Sequence, residues 1–406
     1  MFLPRKLTFP RAFGPGAFLP RARGTARALL AAGLCAGATF AAAQSPEPLK
    51  LRAEVAVPLQ QAQEALRANT PAPALAAAQK ALAVPALTAQ ERQVSLRVLA
   101  AAAHAARDWP VATGALKELL ALPGLPERDR TVMTETLLQA LWQQQDHAAF
   151  AATARAHLQA GAQNPAVFTL LLRALAAQGD DAGVVREARA RLERLQAAGT
   201  PPADTDLVLL AQALHRLQDA SGYADALVLL VTHHPRPERW NEAIRRVADL
   251  PGFSSRLDLD IHRLLDKVGQ LAEADLPHFV AAADKAGLPC EARRVLPAGP
   301  AREAMQKKCD AERAQLPALA QSARDANALK SLADVQASQQ DWQAAAASYA
   351  RAAAAGGARR PDELRLHHGI ALLQAGDKEA ARAQLAQVQG DDGARRVARL
   401  WLALAR

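Results

Sequence analysis

The sequence predicts an all-α protein built as a solenoid of stacked helix–turn–helix pairs. Three observations predict it. Alanine dominates the composition while aromatic residues make up 4% and strand formers are sparse, which favours helix throughout. A motif of small and bulky residues occurs twice in tandem across 326–388. Prolines fall at the intervals where a stack of paired helices needs its loops.

The tandem motif is the best-defined stretch. Ala333, Gln336, Ala345, Tyr349 and Ala352 stand in one fixed relation, and Gly369, Leu372, Ala381, Leu385 and Val388 stand in the same one. Small residues at Ala333, Gly369, Ala345 and Ala381 let two helix axes approach closely. Tyr349 and Leu385 fill the gap to the next pair. The turns read Gln340-Asp341-Trp342 and Gly376-Asp377-Lys378, with an Asp placed to cap the following helix. This spacing resembles the tetratricopeptide repeat (TPR). The resemblance implies a right-handed superhelix of helix pairs, a binding scaffold rather than a catalyst, and no cofactor. Gln336, Arg365 and His368 depart from that family's consensus.

The chain before the motif follows in order. Residues 1–43 read as a secretory signal peptide. Arg5, Lys6, Arg11, Arg21, Arg23 and Arg27 precede an apolar run over 28–43, and cleavage is expected near Ala43. An uncleaved anchor is the other reading, and Cys35 raises lipidation, although Leu34 before it is not small. The formal charge of +9 is mostly leader: six of the 49 basic residues lie in 1–43 and none of the 40 acidic ones, so 43 against 40 leave +3. That balance, with no basic block interleaved with aromatics, carries no nucleic-acid footprint. Once the signal is removed, no remaining apolar stretch is long enough to span a membrane.

Residues 44–234 are expected to form N-terminal TPR-like repeats. The turn marker recurs at Asp108, Asp146 and Asp180, with Ser221-Gly222 in the equivalent place. The residues at the close contact are then Ala112, Phe150, Val184 and Ala226, with Ala149 as the alternative to Phe150 in a shifted register. An earlier unit places Ala74 at its contact and Pro85 after its second helix. Residues 235–325 are an irregular helical middle, with helices expected over 240–250, 255–268, 276–286, 290–296 and 301–316. Pro317 is expected to end or kink the last of these. The stretch 223–264, with Trp240 and Pro251-Gly252-Phe253, also resembles uncharacterised exported TPR proteins of Gram-negative bacteria. That resemblance implies a periplasmic location and no activity. Residues 326–390 hold the two C-terminal units, and 391–406 a capping helix with Trp401 packed inward.

The chemistry-bearing residues are few. Cys290 and Cys309 either form a disulfide, as an oxidising compartment would allow, or remain two separate thiols. Their spacing fits no zinc pattern. His233-His234 and His367-His368 are adjacent pairs, which a helix points about 100° apart, so neither reads as a metal site. No motif of hydrolase, metalloprotease or nucleotide-binding type occurs, and the tryptophans read as packing residues. Lys330, Asp334 and Ser338 lie about one turn apart on one helix face and are candidate groove residues. The function these observations imply is a non-catalytic periplasmic scaffold or adaptor that binds a protein or peptide, in envelope biogenesis, secretion or polysaccharide export. The alternative is a protein that binds or processes glycan or peptidoglycan on the same solenoid, and self-association is a third possibility.

Overall fold

The computed structural model describes residues 51–406. The expected signal peptide, its expected cleavage near Ala43 and Cys35 lie outside the described residues. Among the described residues every regular element is helical. The helices are α1 (Ala53–Arg67), α2 (Pro71–Leu82), α3 (Ala89–Ala106), α4 (Trp109–Ala121), α5 (Glu127–Gln143), α6 (His147–Gln159), α7 (Pro165–Ala177), α8 (Asp181–Ala197), α9 (Asp204–Arg216) and α10 (Ala220–His233). They continue as α11 (Pro237–Ala248), α12 (Asp258–Lys267), α13 (Leu276–Lys285), α14 (Pro289–Val295), α15 (Pro300–Ser322), α16 (Ala326–Ser338), α17 (Trp342–Ala355), α18 (Pro361–Gln374), α19 (Lys378–Leu385) and α20 (Ala394–Leu404). The fold is an all-α, TPR-like solenoid. The described chain divides into two compact units between Leu171 and Leu172.

One turn design recurs in both units. Asp108, Asp146, Asp180, Asp341 and Asp377 each accept the backbone N–H three residues on, at 3.3, 3.0, 2.8, 3.2 and 3.0 Å. Each therefore satisfies an otherwise free donor of the helix it starts. The turn expected at Ser221-Gly222 is corrected: Asp219 is the cap of α10 and accepts the Gly222 N–H at 2.8 Å. The residue before every one of these aspartates is left-handed: Arg107, Gln145, Gly179, Gln218, Gln340 and Gly376. A left-handed residue followed by a capping Asp is what lets one helix end and the next begin with no spacer.

In the first unit, α1 packs on α2 and α3, and the contacts then run on in series through α4 and α5 to α6. Ala74, Ala112, Phe150 and Ala154 are buried at the helix crossings. Phe150 keeps the expected register: it is 1% exposed, while Ala149 is only half-buried. Trp142 packs edge-on against it, with ring centroids 5.3 Å apart. Arg52, ahead of α1, pairs with the buried Glu91 at 2.9 Å, and Glu91 also closes a capping box with Thr88 at the start of α3.

In the second unit the helices again pack in sequence, from α8 through α19. The alanines and Tyr349 of the tandem motif are buried, as are Gly369, Ala381 and Leu385. A Cβ placed on Gly369 would sit 2.5 Å from Leu385 Cγ, so the close approach of α18 and α19 requires glycine there. One element differs from expectation. α15 runs through Pro317 to Ser322 instead of stopping near residue 316. Proline removes only the hydrogen bond to the Arg313 carbonyl, and both residues are exposed, so water can take that carbonyl.

The C-terminal helix does more than cover α18 and α19. α20 also packs on α10, α11 and α12, so this unit closes back on itself. Trp401 is buried within it at 1% exposure. Arg396 Nε donates to Asp225 of α10 at 3.0 Å. The Pro251–Ser254 bend docks on the turn before α20: Ser254 N–H donates to the Asp392 carbonyl at 2.9 Å, and Phe253 lies where a Cβ on Gly393 would be.

Candidate functional site

The polar centre of the second unit starts on α12. Its sequence buries Leu259, Ile261, Leu264 and Leu265. The same helix carries Asp260 and Arg263 one turn apart, and burial of the apolar residues takes both inward. Asp260 is 1% exposed. A carboxylate so placed must be paired or protonated. Arg263 donates to it at 2.9 Å and grips both oxygens of Glu291, on α14, at 2.8 Å each. The second partner comes from far along the chain. His367 of α18 donates through Nε2 to Asp260 at 3.2 Å and through Nδ1 to Asp334 of α16 at 3.1 Å. Asp334 also accepts from Lys330 at 2.8 Å and from the Tyr349 hydroxyl at 2.6 Å. Lys330 reaches Glu363 at 3.0 Å.

The charges hold one another in place. Burial works against a charged imidazole, but Asp260 and the hydrogen bonds to both carboxylates outweigh it, and His367 is pushed up to about 9. Burial likewise opposes the Asp260 carboxylate, yet His367 and Arg263 hold it down at about 2. Asp334 is opposed by burial in the same way and is nonetheless held well below the usual carboxylate range by His367 and Lys330. Burial and the neighbouring Asp334 push the Tyr349 phenol far up. His367 is therefore an imidazolium clamped between two carboxylates, tying α12, α16 and α18 together.

The sequence-derived candidates separate here. Lys330 and Asp334 come together in this cluster. Ser338 does not: it is buried and faces Glu312 Oε2 at 3.5 Å. Asp260, Arg263, Glu291, Glu363 and His367 complete the cluster and were not singled out by sequence as a set. The available signal was the spacing on α12, where charged residues one turn apart fall among apolar positions that must be buried.

Beside the cluster lies a cavity of about 380 Å³, with Arg263, Glu291, Arg294, Trp342, Tyr349 and Trp401 in its wall. Asp266 and Arg294 pair across part of it at 2.6 Å. A second feature lies nearby. Cys290 and Cys309 are joined by a disulfide between α14 and α15, with Cα atoms 4.6 Å apart. Glu312 stands within 4.8 Å of both sulfurs, and burial raises its carboxyl to about 7, with Gln339 and Ser338 pulling the other way. The bridged sulfurs are not thiolates, so the trio offers one ionisable ligand and no metal cage. His234 is used locally, its Nε2 lying 2.8 Å from the Pro202 carbonyl. No described helix is long and apolar enough to cross a membrane.

No known protein family matches the sequence, and no curated protein matches it. Among solved structures the chain is similar to that of Naa15/Naa10 bound to HypK-THB, at 12% identity and a TM-score of 0.30. The match covers 82% of this chain and 63% of that one, so the chain spans under two thirds of the structure it resembles. It is also similar to yeast Tom70, at 11% identity and a TM-score of 0.26, over 86% of this chain and 95% of that one.

Proposed function

We propose that the protein is a non-catalytic helical-repeat scaffold that binds a protein or peptide partner. Stacked helix pairs that bury their apolar stripes against one another leave a long run of helix faces for recognition. The observation that carries this reading is the pairing of the inner charges of the second unit. Asp260, Asp334, Glu291 and Asp266 each have a cationic partner. These four carboxylates serve closure of the unit, and Glu312 beside the disulfide is held by Ser338 rather than by a cation.

The same observation supports the first unit as the partner surface. Lys330, Asp334, Glu363 and His367, on the first helices of the last two pairs, are turned to each other. On the first helices of the N-terminal pairs, Val57 of α1 and Val132 of α5 stand 53% and 38% exposed, while the second unit exposes Leu217 at the end of α9 to 47%. The apolar leader and the disulfide support an exported, periplasmic setting, where disulfides persist. Envelope assembly, secretion or polysaccharide export is the corresponding role. A glycan-binding reading draws on Trp342, Trp401 and Glu291 at the cavity, but both oxygens of Glu291 are already held by Arg263.

Photo-crosslinkers at Val57 and Gln90, on α1 and α3, compared with Gln79 and Lys117 on α2 and α4, test the reading in the full chain. The proposal expects one defined protein adduct from the first-helix positions alone. Equal adducts from both faces, or recovery of glycan with no protein, would overturn it.

A further inference from the structure

The cavity of the second unit has properties that its closing role does not explain. Its volume of about 380 Å³ lies within the range of about 300–1,000 Å³ common to small-ligand sites. Of the cationic groups in its wall, Arg263 and His367 are spent on Glu291, Asp260 and Asp334, which leaves Lys267 and Arg294 against the single carboxylate of Asp266.

The hydrogen-bond inventory is equally one-sided. Both Glu291 oxygens accept from Arg263, and Asp266 Oδ2 accepts from Arg294. Among the described residues Arg294 commits only NH1 and keeps its other N–H groups. Lys267, at the exposed side, pairs with no carboxylate among the described residues: its Nζ donates to the neutral Gln374 Oε1 at 2.7 Å. Trp401 is 1% exposed, and its Nε1 has no acceptor among the described residues. A buried indole N–H normally has one. Donors outnumber acceptors here, with Asp266 Oδ1 and the Gln340 amide oxygen the acceptors that remain among the described residues. Trp342, Ala337, Ile370 and Ala371 supply the smaller, apolar part of the wall.

We propose that this cavity binds a small organic anion, a carboxylate or phosphate attached to an apolar ring. The anionic group meets Lys267 and Arg294, and the ring lies along Trp342 and Ile370. This site is separate from the partner surface proposed on the first unit, and it stands or falls without it.

Calorimetric titration of the full chain with benzoate, phenyl phosphate and neutral benzyl alcohol tests the proposal. At least one of the two anions is expected to bind with Kd of about 1 mM or tighter, and benzyl alcohol at least about tenfold more weakly. Which anion binds more tightly distinguishes a carboxylate from a phosphate ligand. Lys267→Glu removes the unpaired cation and should weaken the anion about tenfold or more. Gln374→Glu keeps the lysine but gives it an internal carboxylate, and should weaken binding similarly. Lys285→Glu, an exposed change outside the cavity, should leave it unaltered. The proposal is overturned if neither anion binds below about 10 mM, if benzyl alcohol binds as tightly, or if both cavity variants bind like the parent.

Discussion

Replacing His367 with leucine should remove the clamp that ties α12 to α16 and α18. In the parent, His367 is an imidazolium raised from an ordinary value of 6.5 to about 9 by Asp260 and Asp334. Its folded pKa lies above its unfolded one, so its contribution is complete below pH 6.5 and is lost as pH rises through about 9. At about 1.4 kcal/mol per unit, that shift corresponds to about 3 kcal/mol. Removing one partner of a buried pair costs about 3–5 kcal/mol, which agrees. The assay is urea unfolding followed by tryptophan fluorescence in a Trp109→Phe, Trp142→Phe background, which leaves only the tryptophans of the second unit. The parent should exceed the His367→Leu variant by about 3 kcal/mol at pH 6, and the gap should close above pH about 9.5. A gap that is constant from pH 6 to 10 would show that His367 acts through packing alone and would refute the reasoning.

Further predictions follow from other contacts. Gly369→Ala drives a methyl into Leu385 and should destabilise the second unit by about 1–3 kcal/mol in the same unfolding assay, despite alanine's better helix propensity. Cutting the Cys290–Cys309 bridge, which spans a sequence separation of 19, with Cys309→Ser should cost about 3 kcal/mol, read as a lower urea midpoint that reductant no longer changes. Asp219→Ala should cost about 1 kcal/mol through the lost cap of α10, whereas Ser221→Ala should cost less. If the two variants melt alike, the assignment of the cap to Asp219 is wrong.

Much of the fold was legible because it is local. Alanine content, proline position and the recurring capping Asp, as at Asp108 and Asp341, are read within one helix pair. The turn at Asp219 was missed because Gly222 reads as a turn residue but lies in the first turn of α10, three residues after the true cap. Pro317 misled because an exposed proline can sit within a helix when water satisfies the freed carbonyl. The polar cluster was only half legible. Lys330 and Asp334 share a helix face, but their partner His367 lies on another helix and joins them to Asp260, 107 positions away. Nothing in the sequence brings α12 beside α18. That neighbourhood follows from the packing of every intervening helix, and so does the contact between α20 and α10.

The most direct measurement of the central claim is hydrogen exchange on the full chain with and without its crosslinked partner, once identified. The scaffold account predicts slowed exchange at amides of α1, α3 and α5, with those of α16 and α18 unchanged. Protection confined to α12, α14 and α18 would contradict it and would assign partner recognition to the second unit.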